Sequence, residues 1–206
     1  MQRFAQWGAF LVLVPLLVFG LQGCSDARLE PLSEDAVILA FGDSLTVGVG
    51  TDAQQNYPSV LAQLSGRKVV AAGVSGEVSA QGRERLASEL ARVRPDLLIL
   101  LHGGNDILRN RSAAELKANL EAMIGLARQE GVQVVLLGVP EKSLFSDAAP
   151  VYVELAEQHD LVFIEDLLSD LLRDSSMKSD AIHLNTQGYR ALAEGIYRVL
   201  QQEGAL

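Results

Sequence analysis

Apolar runs of strand length alternate with helix-period stretches along most of this chain. The runs at 36–41, 68–72, 97–101, 132–138 and 161–164 are nearly unbroken in apolar residues and bounded by Gly, Pro or charged residues. Such runs predict strands buried on both faces of a sheet. Helical patterns lie between and after them, at 57–64, 81–93, 113–130, 151–159 and 187–202. Repeated β-α alternation predicts an α/β fold: a parallel sheet with helices on both sides, joined by right-handed crossovers. There is no internal repeat and no low-complexity segment.

The first 35 residues do not follow that pattern. One positive charge, Arg3, precedes an apolar stretch from Phe10 to Leu21, and Leu21-Gln22-Gly23-Cys24 follows at once. This is the layout of a secretory signal, too short and too weakly flanked for a membrane-spanning helix. The tetrapeptide resembles a bacterial lipobox, with Gln22 departing from the small or apolar residue usual there. The resemblance implies that Cys24 is lipidated and becomes the new N-terminus. Ser25 after it resembles the outer-membrane pattern, which places the domain in the cell envelope facing the periplasm. Lipid chains hold a membrane through their buried methylenes. The polar stretch 25–35, with Pro31 and no periodicity, reads as a tether. The expected division is a signal at 1–23, a tether at 24–35 and one domain at 36–206.

Composition narrows the function classes. The chain has 206 residues, 49% hydrophobic and 21% charged, with a net charge of -9. That is an ordinary globular balance with enough apolar residues for a core. No Lys/Arg-rich run is present, which argues against nucleic acid as a partner. The single cysteine, Cys24, excludes an intramolecular disulfide and a multi-cysteine zinc cage.

Ligands of open parallel sheets bind beyond the carboxyl ends of the strands, so the residues following each strand carry the candidate chemistry. After the first come Gly42-Asp43-Ser44-Leu45, where a tight turn can expose the Ser44 hydroxyl. After the second come Val74-Ser75-Gly76-Glu77, whose glycine lets backbone N–H approach a ligand. After the third come His102-Gly103-Gly104-Asn105-Asp106, where a carboxamide can donate to an oxyanion. Asp180-Ala181-Ile182-His183 precedes the last helix, and a turn there would set the carboxylate beside the imidazole. Each block alone also reads as an ordinary cap, turn or solvated loop, and a histidine at the position of His102 is more often packed than catalytic. Together they supply a nucleophile, a base with its orienter, and several donors at one rim of the sheet.

In these blocks the chain resembles the SGNH (GDSL) hydrolases, particularly their bacterial arylesterase and thioesterase-lysophospholipase branch. The resemblance extends from Val37 to the C-terminus. It implies a three-layer, flavodoxin-like α/β/α sandwich with a five-stranded parallel sheet. It implies Ser44 as nucleophile, His183 as base and Asp180 as its orienting carboxylate. The implied oxyanion donors are the backbone N–H groups of Ser44 and Gly76 and the carboxamide of Asn105. Departures are Glu77-Val78, where relatives often have Asp-Thr, and Leu184, where many have proline.

The implied activity is hydrolysis of carboxylic esters or thioesters through an acyl-enzyme on Ser44, without cofactor or metal. A small-molecule or lipid ester is the expected substrate, with activity rising through the histidine range near about 6.5. Leu144 and Phe145, in the otherwise polar loop 140–150, are candidates for a wall of an acyl pocket or for incidental packing. Three alternatives stand beside this reading. They are an O-acetylesterase acting on carbohydrate or cell wall, a non-catalytic envelope-binding lipoprotein, and a metal-dependent phosphoesterase. The last needs more convergent ligands than His102, His159, His183 and scattered carboxylates provide.

Overall fold

The computed structural model describes residues 28–141 and 147–206. The signal segment, Cys24, Leu144 and Phe145 lie outside the described residues.

Five strands form one parallel sheet: β1 (Val37–Gly42), β2 (Lys68–Gly73), β3 (Leu97–Leu101), β4 (Gln133–Leu137) and β5 (Val162–Ile164). Their spatial order is β2-β1-β3-β4-β5. The register sets Gly42 at the end of β1 beside Gly73 of β2 and Leu101 of β3. Three strand ends are thereby brought level, and the loops that follow them share one rim.

The long helices are α2 (Tyr57–Ser65), α3 (Ser79–Val93), α5 (Ala113–Gln129), α6 (Pro150–His159) and α8 (Thr186–Gln202). They form two groups, α2 with α8, and α3 with α5 and α6, which cover the sheet as the outer layers of a three-layer sandwich. Ile38 to Phe41 and Leu97 to Ile99 are wholly buried between them. Burial of this kind is the dominant favourable term in folding, at about 25 cal/mol per Å² of apolar area.

Three short helices, α1 (Ser44–Val47), α4 (Gly104–Leu108) and α7 (Leu167–Arg173), were not foreshadowed by periodicity. They span only one or two turns, too little for a repeating apolar face. The expectation that every strand is buried on both faces fails for β2, which lies at the sheet edge with Lys68 and Ala71 exposed.

The stretch expected to be a tether is, from Arg28 onward, docked on the domain. Leu29 and Leu32 are buried, and their N–H groups donate to the carbonyls of Glu203 and Ala205 at 3.0 and 2.9 Å. Arg28 pairs with Glu203, and Glu30 exchanges two hydrogen bonds with the Gln133 side chain. Two leucines spaced three apart in a polar stretch carry too weak a pattern to announce that packing.

Candidate active site

Ser44 opens α1 directly beyond β1. Gly42 makes the sharp exit: any Cβ there would collide with the Leu101 carbonyl and the Thr46 hydroxyl. Asp43 caps α1 by accepting the Leu45 N–H at 3.2 Å, and Gly48 closes the helix in the left-handed region. The Ser44 side chain is thus held on the rim while α1 packs back toward β2.

His183 reaches the same rim from the loop before α8. An antiparallel bridge between Lys178 and Leu184 shapes that loop, and the Ser179 N–H donates to the His183 carbonyl at 3.0 Å. Asn185 caps α8 by accepting from Gly188 and donates to the carbonyls of Ser176 and Lys178. Two ties join this region to the chain after α1. Tyr189 donates to the Val49 carbonyl at 2.9 Å, and the hydroxyls of Thr51 and Thr186 meet at 2.6 Å. Leu184, directly after His183, is wholly buried in the core.

The resulting line is short. His183 Nε2 lies 3.0 Å from Ser44 Oγ, and His183 Nδ1 lies 2.7 Å from Asp180 Oδ2. Asp180 Oδ1 accepts the N–H groups of Ile182 and His183 at 2.8 Å each. Slight burial would raise the Asp180 carboxyl, but the His183 hydrogen bond and these two N–H groups hold it below its ordinary range. An imidazole oriented this way can take the serine proton at one nitrogen while the carboxylate fixes the other.

Asn105 sits in the first turn of α4, and its Nδ2 donates to Asp43 Oδ2 at 3.2 Å. Burial pushes the Asp43 carboxyl up, opposed by the hydrogen bonds from the Leu45 N–H and the Asn105 amide. Ser44, Asn105 and His183 all line one pocket of about 120 Å³. Its apolar walls include Ile107, Leu108, Val139, Leu168, Leu172 and Ile182. Pro140 and Glu141 also line it, so the start of the loop after β4 belongs to the site.

Gly76 follows β2, the other neighbour of β1, but is not part of that pocket wall. Its φ of 76° is a left-handed conformation, and its carbonyl accepts from Arg109 Nη2 at 3.0 Å. His102 is buried at the end of β3, as a packed histidine should be, with both ring nitrogens engaged by protein partners. Asp106 is likewise committed, accepting the N–H and hydroxyl of Ser79 at 2.7 and 2.8 Å. Among the described residues no group of three His, Cys, Asp or Glu side chains is placed to hold a metal.

Residues 40–191 match the profile of the GDSL-like Lipase/Acylhydrolase family. This chain belongs to that family. It is 37% identical over 122 residues to the esterase TesA of Pseudomonas aeruginosa, an alignment covering 57% of this chain and 59% of that protein. The match therefore spans less than two thirds of that relative's length. An arylesterase of Vibrio mimicus is 26% identical over 177 residues, covering 79% of this chain and 87% of the relative. A crystal structure of TesA superposes with a TM-score of 0.73 and 30% identity, over 81% of this chain and 99% of that one. The five-stranded α/β fold is the one these GDSL acylhydrolases share.

Proposed function

We propose that this acylhydrolase-family chain is a serine esterase that cleaves carboxylic esters or thioesters through an acyl-enzyme on Ser44. The observation that carries the reading is the line from Ser44 Oγ through His183 to Asp180, at 3.0 and 2.7 Å, beside an apolar pocket.

Ser44 Oγ bonds to the carbonyl carbon as its proton passes to His183 Nε2. The carbonyl oxygen becomes an oxyanion facing the N–H groups of Ser44 and Gly76 and the free amide proton of Asn105. When the tetrahedral carbon collapses, the bond to the leaving alcohol or thiol breaks and His183 returns the proton to it. Water then attacks the acyl-enzyme by the same steps, releasing the acid and restoring Ser44. Asp180 keeps His183 in the required tautomer throughout.

The walls formed by Ile107, Leu108, Leu168, Leu172 and Ile182 support an acyl chain as the group recognised, rather than a sugar. Turnover of p-nitrophenyl esters, an acyl thioester, a lysophospholipid and an acetylated sugar, each beside Ser44→Ala, tests this. Serine-dependent cleavage of the acyl substrates supports it. Cleavage of the acetylated sugar alone would move the reading to an O-acetylesterase, and a folded protein inert on all four would favour a binding role.

Cys24 carries the lipid in this account and holds the domain on the periplasmic side of an outer membrane. Metabolic labelling with radioactive palmitate should mark the wild type and not Cys24→Ser. Equal labelling of both would remove the anchor.

A further inference from the structure

The residues just behind Gly76 and Asn105 are joined to each other by buried hydrogen bonds. Glu77 is 6% exposed and His102 is wholly buried. His102 Nδ1 accepts the Gly103 N–H at 2.8 Å, so the ring carries its proton at Nε2, which lies 3.1 Å from Glu77 Oε2. Arg85 closes the other side of Glu77, with Nε donating to Oε1 at 2.9 Å and Nη2 to Oε2 at 2.6 Å. The same guanidinium donates to the Ala72 carbonyl at the end of β2 and lies 4.2 Å from the Phe41 ring centroid at the end of β1. Gly82 of α3 lies against the His102 imidazole so closely that a Cβ would overlap Nε2.

We propose that Glu77 and His102 are a positioning pair that fixes the Gly76 loop against the Gly103–Asn105 loop, so that the two oxyanion donors act as one preorganised site. This rests on the esterase reading above. The pair is placed for the task by sequence adjacency: Glu77 follows Gly76 directly, and His102 is bonded to the N–H that begins the turn into Asn105. The His102 carbonyl accepts from Tyr152 at 2.8 Å, which holds the strand end from α6. Asp106 and Ser79 make a parallel clasp between the same two loops, and Asn119 of α5 donates to Ser79 Oγ at 3.0 Å. Despite burial, the hydrogen bonds from Arg85 and His102 and the charge of Arg85 bring the Glu77 carboxyl down to about 2, so it stays ionised.

A charge-assisted, buried bond of this kind defines geometry because each partner left alone would be an unsatisfied polar group. Donors aimed at an oxyanion act by their prior placement, and a misplacement of about 1 Å costs on the order of 10² in rate. Neither Glu77 nor His102 lines the pocket beside Ser44, so ground-state binding should be untouched.

The test uses the full chain purified in detergent, with Glu77→Gln, Glu77→Leu and His102→Phe compared on p-nitrophenyl butyrate. A trifluoromethyl ketone, which adds to the serine as an oxyanion, reports on the donors directly. Glu77→Leu and His102→Phe should lower kcat by about 10-fold to 10²-fold with KM within threefold, and weaken the ketone by the same factor. Glu77→Gln, which keeps one acceptor for His102, should lose less than Glu77→Leu. If the bulkier changes fail to fold, Glu77→Gln alone decides: a several-fold loss in kcat matched by the ketone supports the pair. Unchanged kcat in a folded variant overturns it, as does a change confined to KM. Turnover by the wild type that is lost in Ser44→Ala keeps the esterase reading separate from either result.

Discussion

The Asn105 amide nitrogen donates to the buried carboxyl of Asp43 across 3.2 Å, which ties the turn after β3 to the turn that presents Ser44. One amide proton is committed to that bond, and the other is the one the proposed mechanism gives to the oxyanion. Asp43 Oδ1 meanwhile accepts the Leu45 N–H, so a single side chain shapes α1 and aims Asn105.

Asp43→Asn turns one of the two acceptors into a donor, set against either the Asn105 amide or the Leu45 N–H. Asn105→Ala removes the donor outright and should cost on the order of 10²–10³ in kcat. Asp43→Asn should fall in a similar range, and the double variant should be scarcely worse than Asn105→Ala. Full multiplication of the two losses in steady-state assays would separate the residues.

Gly76 is held at a φ of 76°, and among the described residues the only atom within 4 Å of a Cβ there would be Arg109 Nη2, at 3.6 Å. Space is therefore not the obstacle for Gly76→Ala; the left-handed backbone is. A cost of about 1–2 kcal/mol is expected in urea unfolding, with a fall in kcat as the loop relaxes. A variant of wild-type stability and rate would show that the loop tolerates the side chain.

Glu77 predicts an acid limb in stability. Its folded pKa of about 2 lies below the ordinary 4.5, so folding favours the ionised form. That contribution is complete above 4.5 and is lost as the pH falls toward 2. The stability gap between wild type and Glu77→Gln should therefore narrow through this window, by at most about 1.4 kcal/mol per pH unit. Parallel stability curves, from denaturant titrations at each pH, would contradict it.

Leu172 lines the pocket beside Ser44, where the proposed function seats the acyl chain, and is half-buried. Each methylene that enters such a pocket is worth about 0.8 kcal/mol, roughly fourfold in kcat/KM, until the space is filled. Leu172→Trp should move the optimum of a p-nitrophenyl ester series to shorter chains and leave the acetyl ester nearly unaffected. An unchanged chain-length profile would place the acyl group elsewhere.

The sheet and long helices were legible because their apolar runs are long relative to the period being read. The apolar run 97–101 coincides with strand β3, and the helical pattern 81–93 differs from α3 only at its start. That helix begins at Ser79 rather than Gln81 because Asp106, from another loop, accepts the Ser79 N–H. Ser44, Asn105 and His183 were legible because they follow strand ends or precede the last helix, where the fold gathers them. Glu77 was noticed only as a departure, and its bond to His102 joins residues 25 positions apart that no local pattern links. The docking of Leu29 and Leu32 was hidden for the same reason, since their partners lie at the C-terminus.

The central claim is an acyl-enzyme on Ser44. Its most direct measurement is intact-protein mass spectrometry of the full chain after reaction with a fluorophosphonate and, separately, after rapid acid quench during p-nitrophenyl ester turnover. The account predicts one adduct in each case, mapped to Ser44 by peptide analysis, and neither adduct nor turnover in Ser44→Ala. Ester hydrolysis that persists in folded Ser44→Ala, or an adduct mapped to another residue, would contradict it.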